Sequence, residues 1–252
     1  MNLSSAHILK TIARHQVARR KPAATALLLL LTALGANATP ITVPNASFES
    51  PSSPKSTSTN PDIIPGWVFD VQGRSQFGTD PIASNFTSPG AASGNNYAFI
   101  NNDYPGVTDT ITSAASLGTI APLTTYTLSV AIGNHNGTGL YNDPGNVSFS
   151  LLANGAVIAT QEVVNGTVAN GTFEDFSLTY TSPSSGPVIG ENLTIQLATL
   201  PQNGSAYSAA FDNVSLDAVP IDPPAVVPEP SSWTLLVSGL LALACLMRRK
   251  IA

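Results

Sequence analysis

The sequence predicts an all-β protein built as an antiparallel sandwich, and three observations lead to this fold class. Apolar and polar residues alternate in several short segments, most clearly in TYTLSVAI at 125–132, and a period of two is typical of half-buried strands. Asn154-Gly155 lies between two such segments and predicts a two-residue hairpin turn. No long helical period occurs between residues 39 and 219. Short strands separated by Gly, Pro, Asn and Ser are typical of such a sandwich.

The first element is a predicted signal peptide over residues 1–38. Four basic residues between positions 14 and 21 precede an apolar run at 23–34, and Ala36-Asn37-Ala38 places small residues where signal peptidase cleaves. The run is shorter than the roughly 20 residues that a membrane span needs. We therefore expect export by signal peptidase processing and a mature chain that begins near Thr39.

The second element is a single β-sandwich domain over residues 39–219. The sole cysteine, Cys245, lies outside it, so no disulfide links the domain internally and a buried core must stabilise it. Trp67 is predicted to belong to that core. The alternation predicts the following buried positions: Tyr126, Leu128, Val130, Ile132, Val147, Phe149, Leu151, Phe176, Leu178, Tyr180, Leu193, Ile195 and Leu197. A Pro- and Ser-rich stretch near residues 50–61 is interpreted as a surface loop.

The predicted mature domain is strongly acidic. Residues 39–227 hold two basic and fourteen acidic residues, a formal net charge of −12. This balance argues against nucleic acid as a partner, because such binding requires cationic contacts. It is compatible with calcium, which takes carboxylate and carbonyl oxygens, and equally with a charge that only keeps the domain soluble.

The last elements are a Pro-rich linker at 220–227 and a short apolar tail. Residues 233–247 are uncharged, and extension back to residue 231 gives a transmembrane helix over 231–247. Arg248, Arg249 and Lys250 would stop it on the cytoplasmic side. Pro228, Glu229 and Pro230 would then lie at the outer surface of the membrane.

This three-part tail, VPEPSSW followed by an apolar helix and RRK, resembles the PEP-CTERM sorting signal of exported bacterial proteins. The resemblance covers residues 228–252 and implies recognition by an exosortase at Pro228, Glu229 and Pro230. The protein would then pass through the inner membrane and end at the cell surface or in the extracellular matrix. A permanent membrane anchor is the alternative.

The domain itself resembles the jelly-roll domains of the galactose-binding-like, carbohydrate-binding-module group. The segments that carry this resemblance are VPNASFES, IPGWVF, GNNYAFIN, LTTYTLSVAIG and AFDNVSLDAV. It implies a structural calcium ion where the first and last strands meet, with Glu49 and Asp212 as ligands. The alternative is that Asp212-Asn213 only caps a turn.

Two tyrosines in polar loops, Tyr104 and Tyr141, are the candidate platforms for stacking a sugar ring. With the resemblance, they lead to the expectation of a non-catalytic glycan-binding module associated with exopolysaccharide. A structural surface or matrix protein without a specific ligand is the alternative.

Catalysis is not expected from the sequence. His135 is the only histidine of the predicted domain, and the sequence pattern identifies no Ser or Cys nucleophile to go with it. Glu174 and Asp175 are adjacent on a strand and so point to opposite faces, whereas a glycosidase pair must face one substrate. The sequence therefore predicts that the protein is not an enzyme and has no catalytic residue.

Overall fold

Within the described residues, the alternating segments form twelve strands and one short helix in the computed structural model of this chain. The structure describes residues 37–60, 62–71, 75–102, 106–136, 145–201, 207–221 and 239–240. The elements are β1 (Thr39–Ile41), β2 (Ser56–Thr57), β3 (Trp67–Asp70), β4 (Gln76–Pro81), α1 (Ile82–Asn85), β5 (Asn96–Asn102), β6 (Thr110–Ser113), β7 (Thr124–Asn134), β8 (Val147–Ala153), β9 (Ala156–Val163), β10 (Thr172–Thr181), β11 (Leu193–Thr199) and β12 (Tyr207–Pro220).

These strands form two antiparallel sheets, which confirms the predicted all-β jelly-roll sandwich. A seven-stranded sheet has the order β10-β7-β12-β5-β4-β2, and β1 also pairs with β12. A five-stranded sheet has the order β3-β6-β11-β8-β9. The first and last strands therefore meet, with Ile41 opposite Leu216.

The main core lies between the inner faces of the two sheets. It contains Trp67 and all the predicted inward-facing residues, although Phe176 and Tyr180 are only partly buried. The predicted hairpin turn is also confirmed, because Asn154 and Gly155 have φ values of 47° and 82° and join the paired strands β8 and β9. Both positive φ values are what a type I′ turn requires.

The Pro- and Ser-rich stretch near residues 50–61 differs from the expected loop, because it contains the short strand β2. Ser56 pairs with Gly78 of β4, and the carbonyl of Lys55 accepts a hydrogen bond from the Thr79 amide at 2.8 Å. A Cβ atom on Gly78 would overlap the Lys55 carbonyl. The missing side chain of Gly78 is what allows this pairing, and a composition rich in Pro and Ser does not reveal it.

A second apolar cluster lies on the outer face of the seven-stranded sheet. We call it the outer cluster; it consists of Ile82, Phe86, Tyr97, Phe99, Ala131, Phe173 and Ala210. Residues 82–95, which connect β4 to β5, lie over this face and are called the cover segment. Ala91 and Ala92 of the cover segment pack against the outer cluster.

The C-terminal helix predicted for 231–247 lies outside the described residues except at positions 239 and 240. Among the residues that are described, no helix is long and apolar enough to cross a membrane.

Candidate functional site

Asp212 of β12 lies on the outer face of the seven-stranded sheet. Its neighbour Phe211 is in the main core, whereas Ala210 is in the outer cluster, and side chains alternate along a strand. The register between β12 and β7 shifts directly after Asp212, where Asn213 has a φ of 47°. This β-bulge returns Val214 to the main core and leaves the Asp212 carboxyl facing the cover segment.

Glu49 is brought to the same place by a turn near the N-terminus of the domain. The Asn45 carbonyl accepts hydrogen bonds from the amide of Phe48 at 3.0 Å and from Nε1 of Trp67 at 3.2 Å. The buried Phe48 ring packs 5.2 Å from the ring of Trp67, centroid to centroid. The β-bulge also holds this turn, because the Val214 amide donates a hydrogen bond to the Ala46 carbonyl at 2.9 Å.

Both carboxylates hold the cover segment through main-chain amides. Asp212 Oδ2 accepts from the Ser93 amide at 2.7 Å, and Asp212 Oδ1 accepts from the Asn213 amide at 2.7 Å. Glu49 Oε1 accepts from the amides of Asn95 and Asn96, each at 2.7 Å. The fold thus brings the two acids that the sequence resemblance paired onto one segment.

Glycine is required where the cover segment passes over Glu49. Gly94 has a φ of +80°, and a Cβ atom there would lie 2.5 Å from Glu49 Oε1. An L side chain would therefore be strained by the backbone conformation and would collide with the carboxylate. The backbone at Gly94 can therefore lie directly against the Glu49 carboxylate.

Burial gives Asp212 an unusual proton affinity. Its side chain is 0% exposed, and this burial raises the pKa of Asp212 to about 7. The hydrogen bonds from Ser93 and Asn213 lower the pKa, and the negative charge of Glu49 raises it. Asp212 is therefore an acid that still carries its proton over much of the range below neutral pH.

The pair supplies fewer oxygen atoms than calcium takes. Calcium binds six to eight oxygens, whereas two carboxylates provide four, three of which already accept amide hydrogen bonds. No cluster of three or more His, Cys, Asp or Glu side chains occurs in the part of the chain that the structure describes. Calcium at Glu49 and Asp212 stays a prediction.

The outer cluster places aromatic rings next to this acid. Asp212 lies opposite Ala131 of β7, which belongs to the outer cluster. The Phe86 ring lies 4.2 Å from Phe173 and 5.1 Å from Tyr97, centroid to centroid. His135 lies 5.2 Å from Phe86 and 5.5 Å from Tyr97. A buried acid beside apolar and aromatic side chains can protonate an apolar molecule.

A polar group at the edge of the outer cluster fixes Tyr97. Asn85 at the end of α1 donates from Nδ2 to the Tyr97 hydroxyl at 2.8 Å and also hydrogen-bonds the Asp80 carboxylate. Asp80 lies directly opposite Tyr97 in the pairing of β4 with β5. Burial raises the pKa of Tyr97, as does the charge of Asp80, so this hydroxyl remains protonated.

The remaining predicted site residues lie outside the described part of the chain. They are the stacking candidates Tyr104 and Tyr141, the sorting motif Pro228, Glu229 and Pro230, and the basic residues Arg248, Arg249 and Lys250. Sequence reasoning considered His135 without a role and missed Phe86 and Phe173. The available signal was the acid in AFDNVSL, which directly follows the apolar pair Ala210-Phe211 in a strand-like segment.

The chain is therefore a β-sandwich protein with a buried acid on the same sheet face as an aromatic cluster, an arrangement found at functional sites. The sequence over residues 39–217 matches the HpiC1-like family, described as HpiC1 cyclase. The chain belongs to this family. No curated protein sequence matches it.

Two similar solved structures are cyclases, and a third is a carbohydrate-binding module. A Stig cyclase from Fischerella sp. TAU, in complex with (3Z)-3-(1-methyl-2-pyrrolidinylidene)-3H-indole, is 25% identical with a TM-score of 0.61, covering 74% of this chain and 100% of that one. A cyclase from the same organism, in complex with 4-(1H-indol-3-yl)butan-2-one, is 24% identical with a TM-score of 0.59, covering 73% and 100%. A carbohydrate-binding module in complex with β-1,4-galactotriose is 11% identical with a TM-score of 0.42, covering 71% and 97%.

These findings correct two predictions. The expectation of a non-catalytic glycan-binding module is wrong, because the chain belongs to a cyclase family and a similar structure at 25% identity is a cyclase. The expectation that the protein is not an enzyme is wrong for the same reason. Both errors arose because the sequence pattern offered no recognisable set of catalytic residues, and the burial of Asp212 is set by the fold.

Proposed function

We propose that this protein is a cyclase in which the Asp212 carboxyl protonates an apolar, unsaturated substrate and so starts ring closure. The observation that carries the proposal is the full burial of Asp212, which raises its pKa to about 7, in a member of a cyclase family. General acids work best when their pKa lies near the working pH. An ordinary exposed aspartate would be ionised at neutral pH and could not donate.

The reaction that fits this site is an isomerisation. The Asp212 hydroxyl proton is transferred to a carbon–carbon double bond, and a carbocation forms on the substrate. A second π bond of the substrate attacks the cation and closes the ring through a new carbon–carbon bond. Loss of a proton from the product cation to the Asp212 carboxylate then restores the acid, so atoms and charge balance without another reactant.

Glu49 acts as a positioning residue in this mechanism. Its charge favours the protonated form of Asp212, and its bonds to Asn95 and Asn96 hold the cover segment over the acid. Because Asp212 is fully buried, substrate reaches it only when the cover segment moves. Closure then excludes water, which would otherwise capture a carbocation.

The outer cluster supports an aromatic substrate. A similar cyclase, 25% identical to this chain, is in complex with an indole compound. Flat aromatic rings pack favourably against Phe, Tyr and His rings in offset or edge-to-face geometry. We propose an indole-bearing alkene as the substrate class for this chain.

A panel of 3-alkenylindoles incubated with the purified protein tests the proposal. We expect products of unchanged mass in which the alkene proton signals are lost, and a rate that falls as the pH rises through about 7. Asp212→Asn should lower the rate by about 10²–10⁴, the usual contribution of a general acid. Equal rates for the parent and Asp212→Asn would contradict the role of Asp212, and no conversion of any member would contradict the substrate class.

The route of export is a separate part of the proposal. The layout of residues 1–38 and 228–252 supports secretion followed by exosortase processing, with residence in the inner membrane before release to the cell surface or matrix. An exported location would place the cyclase where it meets substrate outside the cytoplasm. Association with exopolysaccharide is not needed by this mechanism.

A further inference from the structure

The Phe173 ring lies on the outer face of the seven-stranded sheet, in space that exists because residue 133 is glycine. Phe173 lies directly opposite Gly133 in the pairing of β10 with β7. A Cβ atom on Gly133 would lie 2.6 Å from both Cε1 and Cζ of the Phe173 ring. The ring is 2% exposed and therefore fills this space completely.

The floor around that ring consists of small residues. Gly133 pairs with Ala210 of β12, and Ala131 pairs with Asp212. Gly133, Ala210 and Ala131 thus form a row of small residues from beneath the Phe173 ring to the position of Asp212. Because residue 133 has no side chain, the space above it is available to the Phe173 ring.

Phe173 is also connected to the cover segment. Its carbonyl accepts a hydrogen bond from the Ala91 amide at 3.3 Å, and a Cβ atom on Gly90 would lie 2.6 Å from that carbonyl oxygen. Its ring packs against Phe86 of the cover segment at 4.2 Å, centroid to centroid. The position of the Phe173 ring therefore depends both on Gly133 beneath it and on the cover segment.

We propose that Phe173 is a specificity-determining residue that limits how far a substrate extends from Asp212 over these small residues toward Gly133. The inference rests on the proposed function, because it concerns the same site. The Phe173 ring occupies the space above Gly133, so substrates with a longer chain beyond the aromatic ring are disfavoured. Removal of the ring lengthens the site without touching the acid.

Binding of two probes of different length tests this inference on the full chain. Indole and 4-(1H-indol-3-yl)butan-2-one are titrated by calorimetry, and the ratio of their Kd values is compared among variants. Phe173→Ala should shift this ratio at least about tenfold in favour of the longer probe, the lower end of what one methylene contributes in an apolar pocket. Phe173→Leu should give a smaller shift in the same direction and serves if the alanine variant does not fold.

The pairing with Gly133 provides a sharper control. In the double variant Gly133→Ala with Phe173→Ala, the new methyl group occupies part of the vacated space, so the ratio should return toward that of the parent. Phe149→Leu removes a similar volume from the main core, where Phe149 is 0% exposed. Phe149→Leu should lower the stability of the protein and leave the ratio of the two Kd values unchanged. This control separates a change in the length of the site from a general loss of stability.

The outcomes distinguish this inference from the proposed function. If the parent binds both probes and Phe173→Ala leaves the ratio within about twofold, well below the shift expected for a pocket contact, the role of Phe173 is wrong while an indole site stands. If the longer probe binds only after Phe173 is shortened, the inference is supported. If neither the parent nor any folded variant binds either probe, both the indole site and the role of Phe173 are overturned.

Discussion

Replacement of Asp212 by asparagine should remove a specific pH dependence from the stability of the protein. Burial raises the pKa of Asp212 to about 7, against about 3.9 in an unfolded chain. The folded state therefore binds this proton more tightly than the unfolded state does. The stability that the proton contributes is fully present below about pH 4 and is lost as the pH rises through about 7.

The magnitude follows from the pH interval over which the two states differ. Each pKa unit corresponds to about 1.4 kcal/mol, and roughly two units of the difference fall between about pH 5 and pH 8. The parent should therefore lose roughly 3 kcal/mol of unfolding free energy over this range because of Asp212 alone. The amide of the Asp212→Asn variant does not titrate, so the same loss should be absent from that variant.

Urea unfolding at pH 5 and pH 8, followed by the fluorescence of the buried Trp67, measures this difference. The matched control is Asp175→Asn, because Asp175 lies opposite the same residue, Ala131, but is exposed to solvent. The control should keep the pH dependence of the parent. The reasoning is refuted if Asp212→Asn loses as much stability between pH 5 and pH 8 as the parent does.

Two further predictions concern metal and sorting. If calcium binds at Glu49 and Asp212, chelation should lower the Tm of the parent, because a ligand that binds only the folded state stabilises it. Chelation should leave the Tm of Glu49→Gln unchanged. If the parent melts at the same temperature with and without calcium, the prediction of calcium at these two residues is wrong. Replacement of residues 228–230 by alanine should keep the protein at full length in the inner membrane, which blotting of cell fractions for a domain tag detects; release equal to that of the parent would rule out sorting at this motif.

The fold was predictable from the sequence because its determinants are local. A period of two in 125–132 fixes which side chains of β7 enter the core, and Asn154-Gly155 fixes the β8–β9 turn. The pairing of β2 with β4 was missed, because it depends on the absence of a side chain at Gly78 opposite a distant carbonyl. Local composition does not contain that information.

The site was predictable only in part. The sequence brought Glu49 and Asp212 together through a resemblance that implies calcium, and this role stays a prediction. The burial of Asp212 by the cover segment cannot be read from residue order. The outer cluster was missed, since Phe86, Tyr97, His135 and Phe173 come from four separate segments and meet only across the sheet. The proposed role of Asp212 depends on its environment rather than on residue spacing.

The cost of the buried acid supports a role in function. At neutral pH, a carboxyl in this position destabilises the fold, whether it stays ionised or takes up a proton. The sole cysteine lies outside the domain, so no internal disulfide offsets this cost. A side chain needed only to hold the cover segment could do so while partly exposed, as Glu49 does. The full burial of Asp212 thus supports the proposed role of a protonated carboxyl away from water.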